Sequence, residues 1–199
     1  MEEIDIYDFD NTIVPFDSGS LFWGYCIIHY PWIAIMLPFQ AAAGILALAG
    51  IIDFTKFKKI CFSFLPLIPL EQAVNGFWNR HEKQVHKWFY GRKRKAVVIS
   101  ASPDFLLEEI QHRLGFEILI CTRHNRKTGA IIGENCRDEE KVRRLYQVLE
   151  PSKIKVIDVY SDSLKHDRPI FSLANGSCYH IVKGARRKFS FEKIYKNRA

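Results

Sequence analysis

The segment IDIYDFDNT, residues 4–12, indicates both the fold and the chemistry of this chain. Residues 4–9 form a short, mostly apolar run of the kind that builds a buried strand. The run ends in Asp8 and Asp10, so the strand would deliver two carboxylates to a turn. If the strand stops at Asp8 and the chain then turns, both carboxylates can face one ligand. A turn with capping carboxylates is the alternative.

Further strand-like runs follow, and helical segments separate them. Strands that alternate with helices are typical of an α/β fold, a parallel sheet covered on both faces. Ligands bind such sheets at the carboxyl ends of the strands, where Asp8, Ser100 and Asp162 fall. The predicted strands are 97–99, 116–121, 154–160 and 178–182, and the predicted helices are 102–114, 138–149 and a short one ending at 174.

Two helix starts carry polar residues of interest. We expect Ser102 to be an N-cap and Pro103 to occupy the first helical position. Ser100 would then precede a helix N-terminus, where a hydroxyl and free backbone N–H groups bind anions. Lys141 falls in the first turn of the next helix, where the helix dipole disfavours a cation. An ion pair with Asp138 is one explanation for Lys141, and a functional role is the other.

An unusually long segment separates the first two strands. It has roughly 85 residues, far more than a crossover requires. Its first part, residues 18–52, contains no Asp, Glu, Lys or Arg, and its second part looks helical and amphipathic with a proline-broken joint at 65–69. The simplest interpretation is a buried helical cap. The predicted domains are then a catalytic core of residues 1–16 and 92–199 and a cap of residues 17–91.

The uncharged part of this segment has a second interpretation. It can be a hairpin that dips into a membrane or lies on it. Lys56, Lys58 and Lys59, which follow directly, would suit anionic head groups. Pro31 and Pro38 interrupt the stretch, which is too short for two full crossings.

The composition is that of a folded protein from a reducing compartment. Its 15 Phe, 8 Tyr and 4 Trp residues exclude a disordered chain, and 199 residues suffice for a core. Five cysteines without a CxxC spacing indicate neither a disulfide framework nor a zinc site. The acidic N-terminus lacks the apolar region of a signal peptide. We expect a cytoplasmic protein, peripheral at the inner face of the membrane if the second interpretation holds.

Most of the net charge of +7 lies near the C-terminus. Residues 183–198 hold seven Lys or Arg and one acid, Glu192. Such a run is most often a solvated face, and otherwise attracts an anionic membrane, nucleic acid or anionic substrate. No aromatic interleaving accompanies it, so we expect no nucleic-acid partner. The oligomeric state does not follow from the sequence.

Four separated motifs together resemble the haloacid dehalogenase-like superfamily of phosphatases. The place of the long segment, between motifs I and II, is similar to the cap of the phosphoserine phosphatase-like branch. The resemblance implies a Rossmann-like parallel sheet with an inserted α-helical cap, and a phosphomonoester as substrate. The matching stretches are DFDNT at 8–12 for motif I, ISASP at 99–103 for motif II, GENCRDEEK at 133–141 for the motif III region and SDSLKHD at 161–167 for motif IV.

The resemblance also implies a metal and a nucleophile. Mg²⁺ would be held by Asp8 and Asp162, with the backbone carbonyl of Asp10 and with Asp167 at the same site. Asp8 would attack phosphorus and form an aspartyl-phosphate. Asp10 would protonate the leaving alcohol and then activate the hydrolytic water. An acid at position 10 favours a phosphatase over the dehalogenases and ion-pumping ATPases of the superfamily.

The phosphoryl group would be held by a separate set of residues. The resemblance assigns this role to Lys141 and Ser100, with Asn11 and Ala101 beside them. Asp167 would orient Lys141 or a metal-bound water.

Motif IV departs from the family at two positions. The family often has Gly where this chain has Ser161, and the commoner spacing of the second acid falls on His166. The longer spacing, which selects Asp167, also occurs in the superfamily.

The substrate is less well defined than the reaction. The cap offers Trp23, Tyr25, His29 and Trp32 but no charge to bind a zwitterion. We expect a small or amphiphilic phosphomonoester. Two alternatives remain: a phospholipid phosphatase at the membrane surface, similar to phosphatidylglycerophosphatases, and a non-catalytic module that binds a membrane or a partner. The intact motif residues argue against the module.

Overall fold

A computed structural model describes residues 1–195, except for the side chain of Phe54. The strands are β1 (Glu2–Tyr7), β2 (Lys95–Pro103), β3 (Ile118–Thr122), β4 (Ile154–Ser161), β5 (Cys178–Val182) and β6 (Ala185–Phe189). The helices are α1 (Ser18–His29), α2 (Leu37–Leu48), α3 (Phe54–Cys61), α4 (Leu70–His81), α5 (Lys87–Tyr90), α6 (Asp104–Leu114), α7 (Glu139–Val148), α8 (Arg168–Phe171) and α9 (Phe191–Tyr195).

The strands form one sheet in the order β3-β2-β1-β4-β5-β6. Every neighbouring pair from β3 to β5 is parallel, so the carboxyl ends of β1, β2 and β4 lie along one edge. This arrangement confirms the predicted α/β fold with a Rossmann-like sheet.

The last strand corrects the prediction of an entirely parallel sheet. β6 pairs antiparallel with β5. The two strands are joined at Lys183 and Gly184, whose φ angles of 50° and 79° suit a two-residue hairpin turn. The basic run predicted as a tail is therefore partly an exposed edge strand, and its charges protect that edge from pairing with other chains. Lys196 and Arg198 of the run lie outside the described residues.

Successive residues of β2 face two separate hydrophobic cores, as the pleat of a strand requires. Val97 and Ile99 pack with α7 and α8 on one face of the sheet. Ala96 and Val98 pack on the other face with α6 and with the helices between β1 and β2. Helices therefore cover both faces, and the edge at the carboxyl ends of the strands is left for a site.

The segment between β1 and β2 is helical, and its helix α4 packs into the main core. Phe77 and Trp78 of α4 are fully buried. The Trp78 indole donates a 2.7 Å hydrogen bond from Nε1 to the carbonyl oxygen of Leu106 in α6. The second half of the helical insertion is thus part of the main core.

The uncharged segment differs from the expectation of a buried cap. It forms α1, a 3₁₀ turn at Pro31–Met36, and α2. Within α2 only Gln40 and Ala43 are buried, and most of its large apolar side chains are exposed. Pro31–Leu48 is long and apolar enough to cross a membrane, a test that core helices of soluble proteins also pass. Only 17% of the residues in this stretch are buried, so it is not a core helix.

His124 lies where the insertion meets the core. Its ring packs edge-on against Phe62 of the insertion and Phe105 of α6. Nδ1 lies 3.2 Å from the carbonyl oxygen of Thr122, and Nε2 has no hydrogen-bond partner within residues 1–195. Burial lowers the pKa of His124 to about 4.

We expect protonation of His124 to destabilise the fold. Its pKa in the unfolded chain is about 6.5, so the unfolded state binds the proton more readily. The free energy of unfolding should therefore fall as pH drops from about 6.5 to 4, by roughly 2–3 kcal/mol from this residue. Urea denaturation at several pH values should show a smaller fall for His124→Gln. The exposed His112→Gln should keep the wild-type pH dependence, and an unchanged dependence in His124→Gln would contradict the expectation.

Candidate active site

Three carboxylates meet at the sheet edge where β1 and β4 end. Asp8 follows β1, Asp162 follows β4, and Asp167 directly precedes α8. One oxygen from each lies within 4.8 Å of the other two, and we call these residues the carboxylate cluster. Asp8 and Asp167 are buried, whereas Asp162 is half-buried. The strand-end pattern thus led to residues that the fold places together.

Lys141 supplies a buried positive charge to this cluster. Its Nζ lies 2.7 Å from Asp8 Oδ1 and 2.6 Å from Asp167 Oδ1. An ion pair with Asp138 does not form, because the Asp138 carboxylate contacts His166 Nδ1 at 2.9 Å instead. Burial alone would lower the pKa of Lys141, but the carboxylates of Asp167 and Asp8 raise it above its ordinary value. Lys141 is therefore held as a cation at the start of α7.

The Asp8 carboxyl is subject to opposing influences. Burial raises its pKa, and the charges of Asp167 and Asp162 act in the same direction. Lys141 opposes both, through its charge and its hydrogen bond. Three carboxylates share one ammonium group, so the cluster has an excess of negative charge that favours a further cation.

Asp10 lies beside the cluster but faces different partners. Its Oδ1 accepts a 2.9 Å hydrogen bond from the backbone N–H of Ser18 at the start of α1. Its Oδ2 accepts a short hydrogen bond from Ser102 Oγ. Burial and the charge of Asp17 raise the pKa of Asp10 to about 6, although the hydrogen bonds from Ser102 and Ser18 favour its ionised form. Asp10 can therefore hold or release a proton near neutral pH.

This contact corrects the role predicted for Ser102. β2 continues to Pro103 and α6 begins at Asp104, with no side-chain hydrogen bond at its N-cap. Ser102 is therefore not a helix cap; its hydroxyl positions Asp10. Ser100 is also farther from the helix than predicted, with a shift in strand register between Ser100 and Pro103.

The remaining predicted phosphate contacts line the same cavity. Ser100 is buried, and its Oγ accepts a 3.1 Å hydrogen bond from the backbone N–H of Ser102. Ala101 borders the cavity next to it. Asn11 has a φ of 54°, a left-handed conformation that Asn tolerates better than most residues, and it starts the turn that brings Asp10 beside Asp8.

The structure also places the residues at which motif IV departs from the family. Asp167 belongs to the carboxylate cluster, whereas His166 borders the cavity and contacts Asp138. The Ser161 hydroxyl donates a short hydrogen bond to Asp167 Oδ2. Serine in place of glycine at position 161 therefore orients the acid at the longer spacing.

The donors of the cluster fit a hard divalent cation. Mg²⁺ prefers oxygen ligands, and carboxylates are the ones it uses most in proteins. Asp167 Oδ1 lies 2.6 Å from Lys141 Nζ, and a carboxylate oxygen has a second lone pair that can bind a metal ion. The Asp10 carboxylate lies outside the cluster, which leaves its backbone carbonyl as the predicted ligand atom.

Two further residues belong to the site and have no distinctive sequence pattern. Thr12 is buried; its Oγ1 donates to Asp8 Oδ2 at 3.4 Å and accepts from the Asp162 backbone N–H at 2.9 Å. Thr12 thus ties the first and fourth strand ends together. Only its place in the DFDNT stretch could have indicated this role.

Lys58 is the second of these, and it comes from α3 of the insertion. Its Nζ donates a 3.1 Å hydrogen bond to the carbonyl oxygen of Ala101. Burial lowers its pKa, and the carboxylates of Asp17 and Asp10 oppose that change. The sequence offered Lys58 only as one of three neighbouring lysines, and tertiary structure alone separates it from Lys56 and Lys59, which are exposed.

The site opens into a cavity of about 850 Å³ between the sheet edge and the insertion. Part of its lining is charged, and we call this part the polar end: it comprises the carboxylate cluster, Lys141, Lys58, Asp17 and Arg137. Much of the remaining lining is apolar. It comes from Trp23, Leu37, Ala41, Gly44, Phe57 and Phe62, with Gln40 among them.

Comparison with known proteins agrees with the fold and the motifs. Residues 6–172 match the family described as haloacid dehalogenase-like hydrolase. The chain is 25% identical to protein CicA of Caulobacter vibrioides over 201 residues, which covers 89% of this chain and 86% of CicA.

Solved structures with the same fold are also found. A protein of unknown function from Bordetella pertussis Tohama I has a TM-score of 0.70 at 19% identity, with 86% of each chain covered. A phosphoserine phosphatase solved as a phospho-aspartyl intermediate analogue has a TM-score of 0.59 at 19% identity, with 90% of this chain and 86% of that chain covered.

We expect the Lys141 ion pairs to be strongly coupled in the metal-free protein. Lys141→Met would leave two buried carboxylates without their counter-ion and should cost roughly 3–5 kcal/mol of unfolding free energy. Asp167→Asn added to Lys141→Met should recover part of that loss. Chemical denaturation of the two single variants and the double variant in EDTA measures the coupling. Additive effects would contradict it.

Proposed function

This chain belongs to the haloacid dehalogenase-like hydrolases, and we propose that it is a Mg²⁺-dependent phosphomonoester hydrolase that works through an aspartyl-phosphate. The observation that carries the proposal is the pairing of Asp8 with Lys141 next to Asp10, at the polar end of a cavity. A carboxylate nucleophile, a cation and a proton donor are thus within one site. Hydrolysis of a phosphate ester through an aspartyl-phosphate would use all three.

In the first half-reaction, Asp8 is the nucleophile. A carboxylate oxygen of Asp8 forms a bond to phosphorus while the bond from phosphorus to the ester oxygen breaks. Asp10 gives its proton to the departing alkoxide, a role that a pKa of about 6 suits. Lys141, Ser100, Asn11 and Ala101 hold the oxygens of the phosphoryl group as it is transferred.

In the second half-reaction, Asp10 acts as the base. The carboxylate left by the first step takes a proton from a water molecule, and that oxygen bonds to phosphorus. The bond between phosphorus and Asp8 then breaks, which releases phosphate and restores Asp8. Ser102 and the backbone N–H of Ser18 keep Asp10 oriented through both steps.

Asp8, Asp162 and Asp167, with the backbone carbonyl of Asp10, would hold the Mg²⁺ ion. When bound, the ion neutralises the charge that otherwise repels a dianionic phosphate from a carboxylate nucleophile. Asp167 also holds Lys141, at 2.6 Å, and so links the metal ligands to the phosphate-binding cation.

The shape of the cavity favours an amphiphilic substrate, and a phospholipid monoester is the second candidate. The rest of the lining is mostly apolar and comes largely from α2 and α3, with Trp23 of α1 and with Phe62. Contact between this apolar lining and an apolar tail would remove both from water and so favour binding. We propose a helical cap over residues 17–91, a catalytic core of residues 1–16 and 92–199, and a cytoplasmic location.

We expect Asp8→Asn to reduce phosphate release by roughly a thousandfold or more, because the nucleophile is lost. EDTA should abolish wild-type turnover, and Mg²⁺ should restore it. The assay is phosphate release from an aryl phosphate, phosphoserine, sugar phosphates and phosphatidylglycerophosphate in mixed micelles. Asp138→Asn changes a carboxylate outside the cluster and is the matched control. Full activity in Asp8→Asn would exclude the mechanism.

We expect Lys58→Met to raise the KM for phosphate esters by roughly tenfold, because a cation beside the phosphate site is removed. The fall in kcat should be smaller, because the proposed mechanism gives Lys58 no part in bond breaking or proton transfer. Lys59→Met, on the exposed side of the same helix, should keep wild-type kinetics. Equal kinetics in both variants would assign Lys58 a purely structural role.

A further inference from the structure

The insertion carries an exposed apolar surface next to the cavity. It is formed by six residues that are each between 67% and 92% exposed, and we call it the apolar face. Large apolar side chains that cluster on the surface of a soluble monomer commonly mark a binding site. The residues are Ile28 at the end of α1, Ile35 in the 3₁₀ turn, Phe39, Ile45 and Leu48 of α2, and Ile51 in the turn that follows.

The position of α2 links this face to the cavity. Leu37, Ala41 and Gly44 of α2 line the cavity. Phe39, Ile45 and Leu48 stand outside it, exposed to solvent. One helix therefore separates the substrate cavity from the apolar face.

The charges around the apolar face narrow the choice of partner. Residues 18–70 carry three lysines and a single acid, Asp53, which pairs with Lys56 at 3.5 Å. Lys56 and Lys59 of α3 are exposed, and α3 packs on α2 through Phe57 and Gly44. Exposed apolar side chains accompanied by lysines, with a single acid among them, suit the acyl region and the anionic head groups of a bilayer.

We propose that the apolar face docks on the surface of an anionic lipid bilayer. Ile45, Leu48 and Ile51, at the end of α2 and in the turn that follows, would insert among the acyl chains, while Lys56 and Lys59 contact the head groups. The cavity would then lie beside the lipid, so that a phosphomonoester with an acyl tail could reach Asp8 along α2. The delivery of substrate rests on the proposed function, but docking itself does not.

Vesicle flotation of the full chain tests docking without any turnover. Wild-type protein should float with phosphatidylcholine vesicles that contain phosphatidylglycerol, and much less with phosphatidylcholine alone. The triple variant Ile45→Ser, Leu48→Ser and Ile51→Ser should bind the anionic vesicles at least about tenfold more weakly, because it buries less apolar area. Lys56→Gln with Lys59→Gln should reduce the preference for the anionic lipid.

The matched control changes exposed apolar residues outside the insertion. Ile132→Ser with Val148→Ser removes two side chains that are about half exposed, and it should bind vesicles as the wild type does. The apolar-face variant should also hydrolyse a soluble aryl phosphate at the wild-type rate, which shows that it is folded. Loss of lipid binding in that variant alone would therefore support docking.

Three results would overturn the proposal. They are no flotation of the wild type, equal binding to both kinds of vesicle, and unchanged binding by the triple variant. A wild-type dimer in sedimentation that the triple substitution dissociates, without flotation, would assign the face to a second copy of the chain. Flotation without phosphate release from any ester would instead refute the proposed function and leave docking intact.

Discussion

The buried contacts of Lys141 with Asp8 and Asp167 are the interaction on which the site depends. They join residues that follow β1, open α7 and precede α8, and each charge is withdrawn from water. Such charges persist only when each has a partner, so the three chain segments are held in one relative position. The sheet edge can supply these segments because β1 and β4 are parallel neighbours. The active site is therefore specified by the same geometry as the sheet.

Sequence patterns were most informative where a charged residue directly follows an apolar strand, because few structural roles explain a carboxylate at that position. Asp8 and Asp162 follow apolar runs, and the topology places their ends together. Asp167 was distinguished from His166 only by resemblance, and the carboxylate cluster explains why the later position is occupied by an acid. The positions of Asp8 and Asp162 thus followed from short-range sequence patterns and the general rule for parallel sheets, whereas Asp167 required the family resemblance.

Other features could not be predicted, because they arise only when distant segments meet. Ser102 has the sequence context of a helix cap, yet the Asp10 carboxyl offers its hydroxyl a stronger partner. β6 is basic and exposed, so no hydrophobic alternation marks it as a strand. The uncharged segment was consistent both with a buried cap and with a hairpin in or on a membrane, because hydrophobicity alone does not show whether protein, lipid or water covers a helix.

The hydrogen bond from Trp78 to Leu106 has a mechanical consequence for how the cavity can open. Moving α4 away from α6 would break that bond and expose aromatic side chains of the core to water. The part of the insertion that contains α4 is therefore not the part that moves to open the cavity. α2 buries only two of its residues, so moving it would expose less apolar surface. The neighbouring helix α3 carries Lys58, which lines the cavity. If α2 and α3 moved outward to open the cavity, the Lys58 ammonium group would move away from the site, and it would return when the cavity closed. The movement that encloses a ligand in the cavity would then also bring the Lys58 charge next to it.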